Sequence, residues 1–196
     1  MTPGHVLLCG PAEPAQIFNC VDQHVLLPGL GGVPVNLLAR ALASRGWQVT
    51  VVSTSPHVAE SWRHREADTE VVLVPMRIRA RERALDLFKV ERRALTDEIR
   101  RQRPDIVHAH WTYEFARAAL ASGLPTLVTA HDAPLTILRH LRDPYRMARL
   151  AMALRVRAKH PPLTAVSPYL AERWRREMGW HSEIAVIPNI TPFEPC

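Results

Sequence analysis

Two histidines, His108 and His110, close an apolar run that reads Ile106-Val107-His108-Ala109-His110-Trp111. Side chains two residues apart on a strand share a face, so the pair presents two imidazoles to one side. A second apolar run ends in the same way, in Thr129-Ala130-His131-Asp132. An imidazole in such a place can hydrogen-bond a sugar hydroxyl, and Asp132 can cap the next helix or hold the ring. The same residues could begin a metal site. No nearby carboxylate motif completes one, so the expectation is no metal. A plainer reading stays open, in which one of the paired histidines is simply a satisfied buried residue.

Gly29-Leu30-Gly31-Gly32 is the second group with chemical potential. Glycines let a backbone approach a phosphate closely, and a helix that starts there adds free N–H groups and a favourable dipole. A dinucleotide fingerprint needs a further glycine three residues after the second, and Pro34 stands there instead. The following strand also ends in Ser and Thr rather than an acidic ribose ligand. NAD binding is therefore disfavoured, and a simple tight turn is the competing reading of these glycines.

The elements that must position these residues alternate between short apolar strands and amphipathic helices, which predicts βαβ units and a parallel sheet. Strands are expected at 6–9, 49–53, 70–74, 106–109, 126–130, 163–166 and 184–187. Their Val, Ile and Leu content suits strands buried on both faces. Helices are expected at 33–45, 85–103, 112–121, 143–159 and 168–178. Pro34 near the start and Gly46 at the end punctuate the first of them. In the second, Leu85, Phe88, Leu95 and Ile99 share a face. In the helix at 143–159, Met147, Leu150 and Leu154 are expected to point inward. Residues 25–27 read as part of a long loop leading to the glycines. The C-terminal ends of parallel strands are where open α/β sheets bind ligands, which places His108, His110 and His131 on one edge.

Net charge is +6, almost all of the cations being arginine, with lysine only at Lys89 and Lys159. Residues 77–160 carry 18 Arg and Lys against 9 Asp and Glu, so the middle of the chain is basic. Arg142, Arg146 and Arg149 are spaced to share a helix face, with Arg139 and Arg157 extending the stripe. A solvated face is the bland reading. The sharper one is an anionic partner, either a membrane leaflet or a phosphorylated or lipid-linked acceptor. No aromatic platform interleaves the arginines, so nucleic acid is not expected. Cys9, Cys20 and Cys196 form no cluster and read as idle thiols. No run reaches the roughly 18 apolar residues of a membrane span, and the first residues lack a secretory pattern. A cytoplasmic location is expected, with peripheral contact at the inner membrane face through the arginines.

Five segments in order resemble the N-terminal domain of the retaining glycosyltransferase family 4, which has the GT-B fold. They are Gly31-Gly32 with Asn36 to Val52, Arg103-Pro104-Asp105-Ile106-Val107-His108-Ala109-His110, Pro125 to Asp132, Thr164-Ala165-Val166-Ser167, and Val186-Ile187-Pro188-Asn189. The resemblance implies a Rossmann-like parallel sheet with helices on both faces, one half of a GT-B fold, over residues 1–188. Residues 189–196 would start the interdomain linker, and the C-terminal donor-binding domain would be absent. It implies transfer of a sugar from a nucleotide-sugar to an acceptor hydroxyl with retention, with no cofactor beyond that substrate. It also implies that this half is inactive unless a donor-binding domain, on this or a separate chain, completes it. By resemblance, His131 contacts the donor sugar near the reacting carbon, and Gly31 and Gly32 lie near the donor diphosphate. His108, His110, Trp111, Asp132 and Ser167 fall along the acceptor cleft. The competing class is a non-catalytic module that keeps the fold and binds an acceptor or a partner.

Overall fold

The computed structural model describes residues 4–19 and 26–190. In chain order the elements are β1 (His5–Cys9), α1 (Pro14–Ile17), α2 (Val33–Ala43), β2 (Gln48–Ser55), β3 (Trp62–Glu66), β4 (Thr69–Pro75), α3 (Ala80–Leu85), α4 (Lys89–Gln102), β5 (Ile106–His110), α5 (Glu114–Ser122), β6 (Thr126–Ala130), α6 (Pro134–His140), α7 (Pro144–Arg157), β7 (Leu163–Ala165), α8 (Pro168–Met178) and β8 (Ile184–Val186). The strands form one sheet in the order β3-β4-β2-β1-β5-β6-β7-β8. Every pairing is parallel except that of β3 with β4.

Alternation along the central strands feeds two cores. On β1, Leu7 and Cys9 join the core packed against α4, α5, α7 and α8. Val6 and Leu8 join the opposite core, with Val35 and Ala39 of α2 and Ile17 of α1. A sheet covered on both faces needs strands that are apolar at every position, which the Val-rich runs supply. This is a Rossmann-like α/β sheet with helices on both faces.

Strand order runs outward in both directions from β1 and β5, so the crevice between their C-terminal ends is the topological switch point. Gly10 follows β1 there. A Cβ on Gly10 would lie 2.9 Å from the Cβ of His110, so the close approach of the two strand ends requires glycine.

Several sequence expectations are corrected. Strand β3 was hidden because Trp62-Arg63-His64-Arg65-Glu66 is polar; it is an antiparallel edge strand anchored by Arg63, whose guanidinium grips both oxygens of buried Glu98. The helix expected over 85–103 breaks at Leu87 and Phe88, both at positive φ (54° and 59°). The break turns Phe88 into the core, where it is 2% exposed, and leaves Leu85 in solvent at 79%. On α7 the inward positions are Ala148, Met152, Ala153 and Val156, whereas Met147 and Leu154 face outward. Small alanines there let α7 approach α5 closely. Helices α1 and α6 are short and carry too few periods to be read from pattern. The loop expected around residue 25 lies partly outside the described residues, and so do Cys20 and Cys196. Cys9 is wholly buried, and burial pushes its thiol pKa up.

Candidate functional site

The histidine edge forms where β5 and β6 end side by side, with His110 paired in register to Thr129. The rings of His108, His110 and His131 follow one another, with centroids 4.3 Å and 5.2 Å apart. His110 Nδ1 and His131 Nε2 are joined by one hydrogen bond of 2.9 Å. His108 Nε2 meets Thr129 Oγ1 at 2.7 Å, and that hydroxyl meets Thr164 Oγ1 on β7 at 2.7 Å. Trp111 stacks on His131 with ring centroids 4.1 Å apart. Its backbone sits at φ +63°, a costly conformation for an aromatic residue that such functional edges often hold.

Burial sets the charge of this group. Desolvation lowers the pKa of His108 to about 4. Desolvation, helped by His108, lowers His131 to about 4 as well. Desolvation and both neighbours push His110 well below its ordinary value. The three rings are therefore neutral at pH 7, and each offers one donor and one acceptor. His110 Nε2 is buried without a partner among the described residues. Neutral imidazoles of this kind recognise hydroxyls rather than charges.

Asp132 does something the sequence did not indicate. It neither caps α6, whose N-cap is Ala133, nor touches the His131 ring. It turns inward and accepts a hydrogen bond of 2.6 Å from the Tyr113 hydroxyl. Arg149 reaches it from α7 at 3.7 Å and lies over the Tyr113 ring, 3.8 Å from its centroid. The Trp174 indole donates to the Asp132 carbonyl at 3.0 Å. Together these contacts fix the backbone that carries His131. Burial raises the Asp132 pKa, against the opposing pull of Tyr113 and Arg149. Burial likewise raises that of partly buried Glu114, which Arg149 opposes.

This changes the arginine stripe. Arg142 precedes α7 and is exposed, and Arg146 pairs with the N-cap Asp143 at 3.1 Å. Arg149 is drawn inward. The three do not form one solvent-facing row, because Arg149 is drawn to the Asp132 carboxylate and the face of the Tyr113 ring. Ser167 sits at the end of β7, but its hydroxyl accepts from Leu170 N–H at 3.2 Å as the N-cap of α8.

The glycine loop reaches the same edge. Gly32 is the N-cap of α2. Asn36 steadies the turn by accepting from Glu13 N–H at 3.0 Å and donating to Gln16 at 2.8 Å. A cleft of about 220 Å³ lies between α2 and the strand ends, lined by Pro34, Leu38, His108, His110, Thr129 and residues 187–190. Thus Pro34 and Leu38 of α2, His108, His110 and the Pro188-Asn189 segment converge on the cleft, whereas Gly31, Gly32, Trp111 and His131 are not among its lining residues, and Asp132 and Arg149 act behind the edge. Among the described residues, no group of three or more His, Cys, Asp or Glu could hold a metal ion.

The model for glycosyltransferase family 4 matches residues 32–193. The chain belongs to that family. Solved glycosyltransferases of the GT-B fold share its architecture. The sucrose-phosphate synthase of Thermosynechococcus elongatus superposes with a TM-score of 0.63 at 15% identity, over 95% of this chain and 48% of that one. The UDP-forming α,α-trehalose-phosphate synthase of Burkholderia vietnamiensis gives 0.52 at 11% identity, over 96% and 49%. A trehalose-6-phosphate protein of E. coli, bound with UDP-2-fluoro glucose, gives 0.50 at 12% identity, over 87% and 41%. No curated protein matches the chain in sequence. The chain spans about half the length of these structures. In this family-4 chain the sheet is thus the N-terminal half of a GT-B fold.

The two loop glycines differ in what they demand. Both have positive φ, +78° at Gly31 and +86° at Gly32. A Cβ at Gly31 meets nothing within 4 Å, whereas one at Gly32 would lie 1.9 Å from the Pro11 carbonyl oxygen. Gly31→Ala is expected to cost about 1 kcal/mol, the left-handed penalty alone. Gly32→Ala is expected to cost at least about 2 kcal/mol, because the Pro11 backbone must also move. Urea unfolding of the two variants checks the order; equal losses would mean the loop relaxes freely.

Proposed function

We propose that these residues form the acceptor-side half of a retaining glycosyltransferase, which moves a sugar from a nucleotide-sugar to an acceptor hydroxyl. The observation that carries this is the neutral, stacked His110–His131–Trp111 edge at the switch point of a family-4 sheet. His131 would face the donor sugar near the reacting carbon, held by His110 on one side and Trp111 on the other. His108, His110 and Thr129 would line the acceptor side of the cleft. Gly31 and Gly32 would let the donor diphosphate approach the start of α2. Preorganised donors of this sort stabilise charge that develops in the transition state. The UDP named in two of the solved structures supports a nucleoside diphosphate as leaving group.

The donor-holding half would come from another domain or chain. Leu30, Val33, Val186, Ile187 and Ile190 are apolar and exposed beside the cleft, and they suit a docking face for it. These 196 residues alone are expected to turn over no nucleotide-sugar. Purified chain incubated with a panel of nucleotide-sugars and assayed for released diphosphate tests this. Robust turnover would contradict the half-site reading.

Arg142 and Arg146 are also proposed to hold the protein peripherally against an anionic cytoplasmic leaflet, with exposed Leu141 and Met147 beside them. Each arginine near such a surface contributes about 1 kcal/mol. Arg142→Gln with Arg146→Gln should lower the affinity for anionic liposomes by roughly 30-fold at low salt. Equal binding by both proteins would leave these arginines as ordinary surface. Among the described residues no helix is long and apolar enough to cross a membrane.

A further inference from the structure

Helix α3 has no buried residue. Ile78 just before it and Leu85 at its end are 78% and 79% exposed. Between α3 and the first turn of α7 lies a groove of about 590 Å³, walled by Ala80, Ala84, Leu85, Pro144 and Tyr145, with Arg81, Asp143 and Arg146 completing the lining. That volume falls in the range of small-molecule sites, about 300–1,000 Å³. An apolar trough of this size on a surface marks a place that is normally covered.

The charges say what covers it. Asp143 is spent on Arg146 and on the first turn of α7. Arg81 has no carboxylate partner among the described residues, and neither does Arg142, one residue before Asp143. The trough is therefore apolar in its walls, with one unpaired cation, Arg81, in its lining and a second, Arg142, one residue outside it, which suits an amphiphile with an anionic head.

The groove is also on the right edge. Helix α3 follows the C-terminal end of β4, and α7 begins beyond the C-terminal end of β6. Tyr145, in its wall, lies 5.7 Å from the Arg149 guanidinium. Arg149 in turn sits 3.7 Å from Asp132, the residue after His131.

We propose that this groove receives the apolar tail of a lipid phosphate, an acyl or prenyl chain whose phosphoryl head also bears a free hydroxyl, and that such a molecule is the acceptor class of the histidine edge. This rests on the glycosyltransferase reading for the word acceptor, but the binding itself does not need it.

Calorimetric titration of the chain with dodecyl phosphate, below its micellar concentration, tests the proposal against inorganic phosphate and uncharged dodecyl maltoside. Dodecyl phosphate should bind at least tenfold more tightly than either. Ala84→Trp, which fills the groove, should weaken it at least tenfold. Leu85→Glu, at an exposed position that folding tolerates, should do the same. Arg81→Gln with Arg142→Gln should bring the phosphate amphiphile within threefold of the uncharged one. Inorganic phosphate binding as well as dodecyl phosphate would overturn the proposal. So would binding unchanged in both Ala84→Trp and Leu85→Glu, or a dimer that Leu85→Glu dissolves, which would assign the groove to a second copy. No transfer step enters these readings. Loss of the glycosyltransferase reading with tight groove binding intact, or the reverse, separates the two.

Discussion

Lowering the pH from 7.5 to 5 is expected to cost the folded chain about 2 kcal/mol at His108 alone, rising to about 3 kcal/mol by pH 4. The folded pKa of His108 is lowered to about 4 by burial, whereas the unfolded side chain titrates near 6.5. Above about pH 6.5 the ring is neutral in both states and its full contribution is present. As the pH falls below that, the unfolded chain takes up a proton that the folded chain refuses, so stability is lost down to about pH 4. His131, also lowered to about 4, and His110, lowered further, act in the same direction. Asp132 and Glu114 act against them, because burial raises their pKa and the folded chain takes up their protons sooner. Three histidines against two carboxylates leave a net loss. Urea titrations at pH 7.5, 6 and 5 measure it. His108→Gln keeps a partner for Thr129 and should flatten the slope. Equal stability at pH 7.5 and 5 would mean the rings are not desolvated as placed.

Arg149→Met is expected to destabilise the chain by roughly 3–5 kcal/mol, the usual result of leaving buried charges without their partner. It removes the one cation that, among the described residues, reaches Asp132, and the larger of the two that oppose the burial of Glu114. It also strips the face of Tyr113. Arg142→Gln, at an exposed position, should stay within about 0.5 kcal/mol of the parent. Denaturant midpoints of both variants give the comparison. Similar losses would return Arg149 to the solvated stripe that its spacing suggests.

Sequence spacing could not distinguish these two arginines. Positions 142, 146 and 149 differ by four and three, and nothing in that spacing says which neighbour carries a carboxylate. The partner, Asp132, sits on another element, and only the packing of α7 beside Tyr113 brings them together. Asp132 itself was visible at the end of β6, but whether it would turn towards the cleft or the core depended on that packing. The strands were legible because a sheet buried on both faces needs uninterrupted Val, Ile and Leu, as in Val71 to Val74. Strand β3 was not, since Arg63 and Arg65 fit an edge strand only once Glu98 and Glu70 lie opposite. The histidine edge was legible in outline, because the spacing of two between His108 and His110 fixes their common face. Its neutrality was not, because desolvation is a property of the packed interior. Leu85 shows the limit of periodicity: it matches the helical stripe of Leu95 and Ile99, yet the break at Leu87 and Phe88 turns it out to form the groove wall.

The most direct test of the central claim is glycosyl transfer by this chain joined to a family-4 donor-binding half, screened over nucleotide-sugars, with and without His131→Ala. Transfer should appear in the joined protein with retention at the anomeric carbon. His131→Ala should lower it by roughly 10²–10³-fold, the scale of removing one preorganised donor, while the unfolding free energy falls by no more than about 3 kcal/mol, so the joined protein stays folded. Transfer that persists undiminished in His131→Ala would contradict the placement of the reaction at this edge.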